Sequence, residues 1–177
     1  MSYRIQHRIG VAAPATAVWR VLADFAAWTD WNPLFTSAEG KLSIGAPVAF
    51  QRSVKGRSVL EQVRIVDWVP SEQLVWSRPI GLFASAIGYI EIEALSETGC
   101  IVAVGEIYNG LVGARIGQHN RRILRPGYAA LCEALKTRAE STWDGVPDAR
   151  LPPPVTKPVK AVKAGKPVAM SMFGRRR

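Results

Sequence analysis

The sequence is poor in the residues that most enzymes use for chemistry. Among 177 residues there are two cysteines, Cys100 and Cys132, and two histidines, His7 and His119. The cysteines fit no zinc or redox spacing and read as small buried hydrophobes in a reducing compartment. So few histidines argue against a Ser-His-Asp triad or a His-rich metal site, and a lone His7 on a strand packs more often than it reacts. P-loop, HExxH and CxxC patterns are missing, as is a GxGxxG after a strand. The glycines at Gly110, Gly113 and Gly117 follow no nucleotide-binding βαβ context and read as a hinge. No apolar run reaches the ~18 residues of a membrane span, and MSYRIQHRIG lacks the apolar core of a secretory signal. These absences point to a cytoplasmic protein without metal or cofactor.

What is present is hydrophobic patterning and an uneven charge. With 48% hydrophobic residues, the chain can build one domain with a sizeable core. The net charge of +9 divides unequally. Residues 1–140 carry 15 Lys+Arg against 12 Asp+Glu (+3), and residues 141–177 carry 8 against 2 (+6). The high pI therefore belongs mainly to a tail. Residues 144–177, including LPPPVTKPVKAVKAGKPVAMSMFGRRR, have little large apolar surface to offset ordering entropy and read as a disordered basic segment. Such a tail can contact anionic membrane or nucleic acid non-specifically through Lys157, Lys160, Lys163, Lys166 and Arg175–Arg177. Residues 1–143 read as the folded domain.

Along that domain the hydrophobic period changes twice. Tyr3–Gly10 alternates as a strand. After Pro14, Val18, Val21, Leu22 and Phe25 recur at helical spacing. A second short helix carries Trp28 and Trp31 to Asn32-Pro33, where the proline disfavours helix for its predecessor. Short strands follow: Leu34–Glu39, Lys41–Ile44, Pro47–Arg52, Ser58–Trp68, Gln73–Arg78, Tyr89–Leu95 and Cys100–Tyr108. GLFASAIG (Gly81–Gly88) reads as an apolar loop, able to act as a lid. A long helix begins near Gln118 and runs to about Thr142, with Leu124, Tyr128, Leu131 and Leu135 in one stripe and a kink or fresh start at Pro126. Without βα alternation the sheet should be antiparallel, giving an α+β fold.

That order resembles the START-like or helix-grip fold, specifically the polyketide cyclase/dehydrase and lipid-transport group of the SRPBCC superfamily. The resemblance is carried by IGVAAPATAVWRVLADFAAWTDWNP, by Glu39-Gly40, Gly45, and Val69-Pro70 with Leu74-Val75-Trp76, and by the closing helix ending LKTRAE. It covers roughly residues 3–140. It implies a curved antiparallel sheet of six to seven strands wrapped on a long C-terminal helix, two short helices after the first strand, and an apolar cavity between helix and sheet. It also implies a small hydrophobic ligand, a lipid or polyketide-like molecule, and carries no universal catalytic motif.

The residues most suited to line such a cavity are Trp28, Trp31, Trp68, Trp76, Phe83, Tyr89, Tyr108 and Tyr128, because apolar pockets are walled by rings with few polar anchors. The same rings can simply fill the core. Arg78 and Glu106 are the candidate anchors. An inward Glu106 in a dry cavity would have a raised pKa and could serve as general acid or base; the plainer expectation pairs it with Arg78 or Arg64 on the outer face. Three functions follow: binding of a hydrophobic ligand, cyclase/dehydratase chemistry, or a basic-tailed accessory role. An exposed edge strand would allow a homodimer.

Overall fold

A computed structural model describes residues 2–148. The basic-tail reading lies outside the described residues, apart from its first few positions. Seven strands form one antiparallel sheet: β1 (Tyr3–Val11), β2 (Phe35–Gly40), β3 (Pro47–Val54), β4 (Arg57–Val69), β5 (Gln73–Ile80), β6 (Ala84–Ser96) and β7 (Gly99–Gly110). Their order is β1-β7-β6-β5-β4-β3-β2. Helix α1 (Ala15–Ala23), a 3-10 turn (Phe25–Ala27) and α2 (Trp28–Trp31) lie between β1 and β2, and α3 (Gly113–Thr142) closes the domain against the sheet. This is the helix-grip architecture the sequence resembles. Among the described residues no helix is long and apolar enough to cross a membrane, and no group of three or more His, Cys, Asp or Glu could hold a metal ion.

Period-2 burial gives the sheet its inner face. Val48, Phe50 and Arg52 of β3, Leu74 and Trp76 of β5, and Val102, Val104, Glu106 and Tyr108 of β7 are all buried at alternate positions. On α3 the stripe Leu124, Tyr128, Leu131, Leu135 is buried as its spacing requires. Asn32, whose position marks the end of α2, is itself buried. Its Oδ1 accepts from the N–H groups of Leu34 (3.1 Å) and Phe35 (2.8 Å), turning the chain from α2 into β2.

Three elements differ from the sequence reading. Lys41–Ile44 is a turn rather than a strand. GLFASAIG is not a loop: only residues 81–83 turn, and Ala84–Gly88 pair with both β5 and β7. Small residues serve close approach here, since a Cβ on Gly88 would overlap the Trp76 ring. Of the loop read from the sequence, only this three-residue turn remains outside the sheet. The long helix begins at Gly113, five residues before Gln118, and continues through Pro126. Propensity disfavours both the glycines and the proline, but Gly117 lets α3 pack directly on Tyr3 and Tyr108, where any side chain would collide. Tertiary packing outweighs the cost of about 1 kcal/mol for a helical glycine.

Cys100 and Cys132 are free and buried. Burial, with Glu140 nearby, pushes the Cys100 thiol up to about 12; burial also pushes Cys132 up to about 12. Neither should react with an aromatic disulfide reagent at neutral pH in the native protein, and both should react in denaturant. Rapid labelling of either thiol in the native protein would contradict this placement.

Candidate functional site

Two groups of side chains meet on the inner face. The first is aromatic. Trp28 is fully buried among Phe25 (centroids 4.9 Å apart), Phe50 (5.5 Å), Phe35 (5.9 Å) and Trp31 (6.2 Å). Trp76 continues the wall against Phe50 (5.3 Å) and Phe35 (5.8 Å). The Trp28 indole donates to the Leu22 carbonyl at 3.1 Å, so this ring's polar edge is satisfied inside the helical segment.

The second group is polar and sits beside the first. Strand alternation aims Arg52, Glu61, Arg78, Glu106 and Tyr108 from four different strands at one region facing α3. Arg52 donates to Glu106 Oε1 at 2.9 Å, and its guanidinium lies 5.0 Å from the centre of the Phe35 ring. Tyr108 donates to the other Glu106 oxygen at 2.6 Å. Arg78 approaches Glu106 to 3.5 Å, and Glu61 lies 3.3 Å from Arg52 and 3.7 Å from Arg78. From α3, Tyr128 brings its hydroxyl beside Glu106 and Asn120 reaches the Tyr108 hydroxyl. The Arg52 and Glu106 side chains are 2% and 1% exposed, whereas Arg78 is 22% exposed. Arg78 thus marks the side on which the network meets solvent.

The network has unfilled hydrogen-bonding capacity. The Tyr128 hydroxyl, Arg52 Nε, Arg78 Nε and Glu61 Oε2 are buried without an aligned hydrogen-bond partner, although the charged atoms lie within ion-pair distance of one another. Buried polar groups are paired in the great majority of cases; three of these atoms meet one another as ion pairs, which leaves the Tyr128 hydroxyl, beside Glu106 but without an aligned bond, as the group with capacity to spare.

The electrostatics separate the two carboxylates. Burial would raise the Glu106 carboxyl, but Arg52, Arg78 and the hydrogen bonds from Tyr108 and Arg52 outweigh it and hold the group below its ordinary value. The raised pKa expected of an inward Glu106 is therefore not found, and its main partner is Arg52 inside, not Arg64. Glu61 goes the other way: burial raises it, and Arg52 and Arg78 offset this only in part. Burial first, then Glu106, raises Tyr108 and Tyr128, so both hydroxyls stay protonated as donors.

The two shifts have opposite signs for stability. Glu106, depressed in the folded state, contributes stability above the ordinary carboxylate value that is lost as pH falls through its folded value. Glu61, raised, contributes stability below that value, and this is lost as pH rises through its folded value. Urea unfolding against pH should therefore show Glu106→Gln flattening the acid limb and Glu61→Gln flattening the decline above the ordinary value of 4.5. Unchanged profiles in both variants would contradict the assignments.

The structure joins seven of the ten residues singled out from the sequence. Trp28, Trp31 and Trp76 belong to the aromatic wall; Arg78, Glu106, Tyr108 and Tyr128 belong to the polar network. Three lie elsewhere. Trp68 stacks on Trp19 at 6.0 Å. Phe83 is 62% exposed on the β5–β6 turn. Tyr89 faces the other side of the sheet, packed with Val75 and Ile107 beneath Arg4; alternation pairs it with Glu91, not with the core residue Ile90. Burial raises Tyr89 to about 12. Sequence reasoning missed Arg52, Glu61 and Phe50. The signal was present, since Val48, Phe50, Arg52 and Val59, Glu61, Val63 alternate onto apolar faces, but a charged residue on a strand is ordinarily assigned to solvent.

A curved sheet gripping a long helix, with a polar cluster in its inner face, defines a helix-grip protein. The chain belongs to the polyketide cyclase / dehydrase and lipid transport family, whose model matches residues 2–140. No curated protein matches the chain. Among solved structures, an aromatase/cyclase (Zhui) from Streptomyces sp. R1128 superposes with a TM-score of 0.64 at 19% identity, covering 79% of this chain and 94% of that one. A START superfamily protein from Mycobacterium smegmatis gives 0.63 at 17%, covering 78% and 97%. Norcoclaurine synthase from Thalictrum flavum, in complex with dopamine and hydroxybenzaldehyde, gives 0.62 at 13%, covering 81% and 89%. At these identities the likeness is one of fold.

Proposed function

We propose that this protein binds a small, largely apolar and uncharged molecule between the sheet and α3, oriented by the Arg52–Glu61–Arg78–Glu106 network. The observation that carries the reading is the Tyr128 hydroxyl, buried without an aligned bond, together with the loosely paired, partly exposed Arg78, beside an aromatic wall. Two arginines and two glutamates balance in formal charge. A ligand carboxylate, phosphate or ammonium would leave an uncompensated charge in a dry site, which is costly. A carbonyl or hydroxyl oxygen would instead accept from Tyr128 or Arg78 and restore the missing bonds. The lipid or polyketide-like ligand expected from the sequence is of this kind when its polar end is neutral.

Tyr128→Phe tests this reading. The hydroxyl lies beside Glu106 without an aligned bond, so its loss should change stability by no more than about 1 kcal/mol. Binding of a co-purified ligand, identified by native mass spectrometry, should weaken about tenfold, as expected when one hydrogen bond in a desolvated site is lost. Equal affinity in Tyr128→Phe and Arg78→Met would sink the proposal.

The second reading is cyclase/dehydratase chemistry on a polyketide-like chain. It is favoured by Tyr128 and Arg78, donors suited to polarising a carbonyl, and disfavoured for Glu106 as general acid because its carboxyl is held ionised. Turnover retained in Glu106→Gln but lost in Arg78→Met would distinguish electrophilic polarisation from acid–base catalysis.

A further inference from the structure

One end of the molecule carries large apolar side chains in solvent. Leu82 is 91% exposed, Phe83 62%, Leu111 88% and Val112 41%. They occupy the β5–β6 turn and the β7–α3 link, which are joined by a hydrogen bond from the Leu111 N–H to the Phe83 carbonyl (3.0 Å). Strand register places the β3–β4 hairpin at the same end: Ile80 pairs with Ala84, Ala84 with Gly110, and β4 runs on past the β5 pairing to its turn at Lys55-Gly56. A groove of about 690 Å³ separates the two apolar tips, and its lining includes Ser85 and Asn109 but no charged side chain.

The exposed charges on the same turns are cationic: Lys55 and Arg57 on the β3–β4 hairpin and Arg115 in the first turn of α3, whereas Arg78 is paired inward with Glu61 and Glu106. Elsewhere the pattern differs: Leu95 also projects into solvent (60%), but between Glu93 and Glu97. Scattered exposed hydrophobics need no explanation, whereas several together beside exposed cations do.

The geometry points to an anionic lipid surface as the occupant. We propose that this end docks peripherally on a membrane, with Leu82, Phe83 and Leu111 entering the boundary between headgroups and acyl chains. Lys55, Arg57 and Arg115 would rest on the lipid phosphates. Tips that are nine-tenths exposed protrude from their turns, which suits a soft phase better than a flat protein face. A second copy would bring the same cations to the contact without a carboxylate to meet them. The docked end is the one from which Arg78 meets solvent, but the proposal stands on the loops and goes beyond the ligand reading.

The test uses the full chain and vesicles of phosphatidylcholine with and without phosphatidylglycerol. Wild type should partition onto the anionic vesicles. The triple variant Leu82→Ser/Phe83→Ser/Leu111→Ser should lose about tenfold or more in partitioning at both low and high salt, since burial of its apolar tips is not screened. Lys55→Glu/Arg57→Glu should lose binding at low salt. All replaced side chains lie at the surface, and circular dichroism checks that the fold is kept. Binding of the folded triple variant within about twofold of wild type would overturn the proposal and assign vesicle binding to other basic segments. So would wild type that ignores anionic vesicles, or a wild-type dimer that the triple variant abolishes. Uptake of a soluble apolar probe should be unaffected by the triple substitution, so failure of docking and failure of the ligand reading are read separately.

Discussion

Arg52→Met should be among the most destabilising single substitutions in this protein, costing about 3–5 kcal/mol. The guanidinium is 2% exposed and neutralises Glu106, which is 1% exposed, while also facing Glu61. Without it, one carboxylate remains buried with only the longer Arg78 contact at 3.5 Å. For a domain of this size such a loss lowers the melting temperature by roughly 10 °C. The cost reflects an orphaned charge more than the net worth of the pair, because well-packed apolar replacements of buried ion pairs are often neutral. The double variant Arg52→Met/Glu106→Leu should therefore be more stable than the sum of the single losses predicts, by about 1–3 kcal/mol. Urea unfolding of the four proteins closes the cycle. Strict additivity would mean that the two side chains do not act as a unit.

Trp28→Ala should cost a similar amount, about 3–5 kcal/mol, through a cavity that the surrounding rings cannot fill. Trp28 is fully buried, touches four other aromatic side chains, and anchors its N–H on Leu22. Trp31 lies three residues on and is only half-buried, and its Nε1 has no partner. Trp31→Ala should cost at most about half as much, with less area removed from water. Comparable losses in the two variants would show that exposure does not rank them. The pair also bears on function: of the two, Trp31 has surface left for a ligand, and Trp28 serves the wall.

Much of the architecture was legible in residue patterns because each element states its period locally. Tyr3–Gly10 alternates, Leu124 to Leu135 recur at helical spacing, and Asn32-Pro33 stops α2 where the proline requires. Two of the three misread elements share one cause. GLFASAIG resembles a loop by composition, and Gly113–Gly117 and Pro126 resemble breaks in a helix, but neighbours supply what propensity withholds. Gly88 is small because the Trp76 ring covers it, and Gly117 because Tyr3 and Tyr108 do.

The candidate site was less legible. Seven of its residues could be named from type and position, but their grouping depends on which strands neighbour which. Glu106 is an ambiguous carboxylate in an apolar strand until Arg52, more than fifty positions away and four strands along the curved sheet, is brought to 2.9 Å. Tyr89 and Ile90 differ by one position and lie on opposite faces of the sheet; alternation groups Tyr89 with Glu91 and Glu93, but which face looks inward is set by tertiary packing.

Sequence alone established an α+β domain with two short helices, an antiparallel sheet and a long closing helix, because hydrophobic period is a property of neighbouring residues. Which charges lie inside, which carboxylate stays ionised and which apolar turns stand together in solvent were decided only by the tertiary structure. Each of those depends on distances between residues far apart in the chain, and on the low dielectric that burial creates around them.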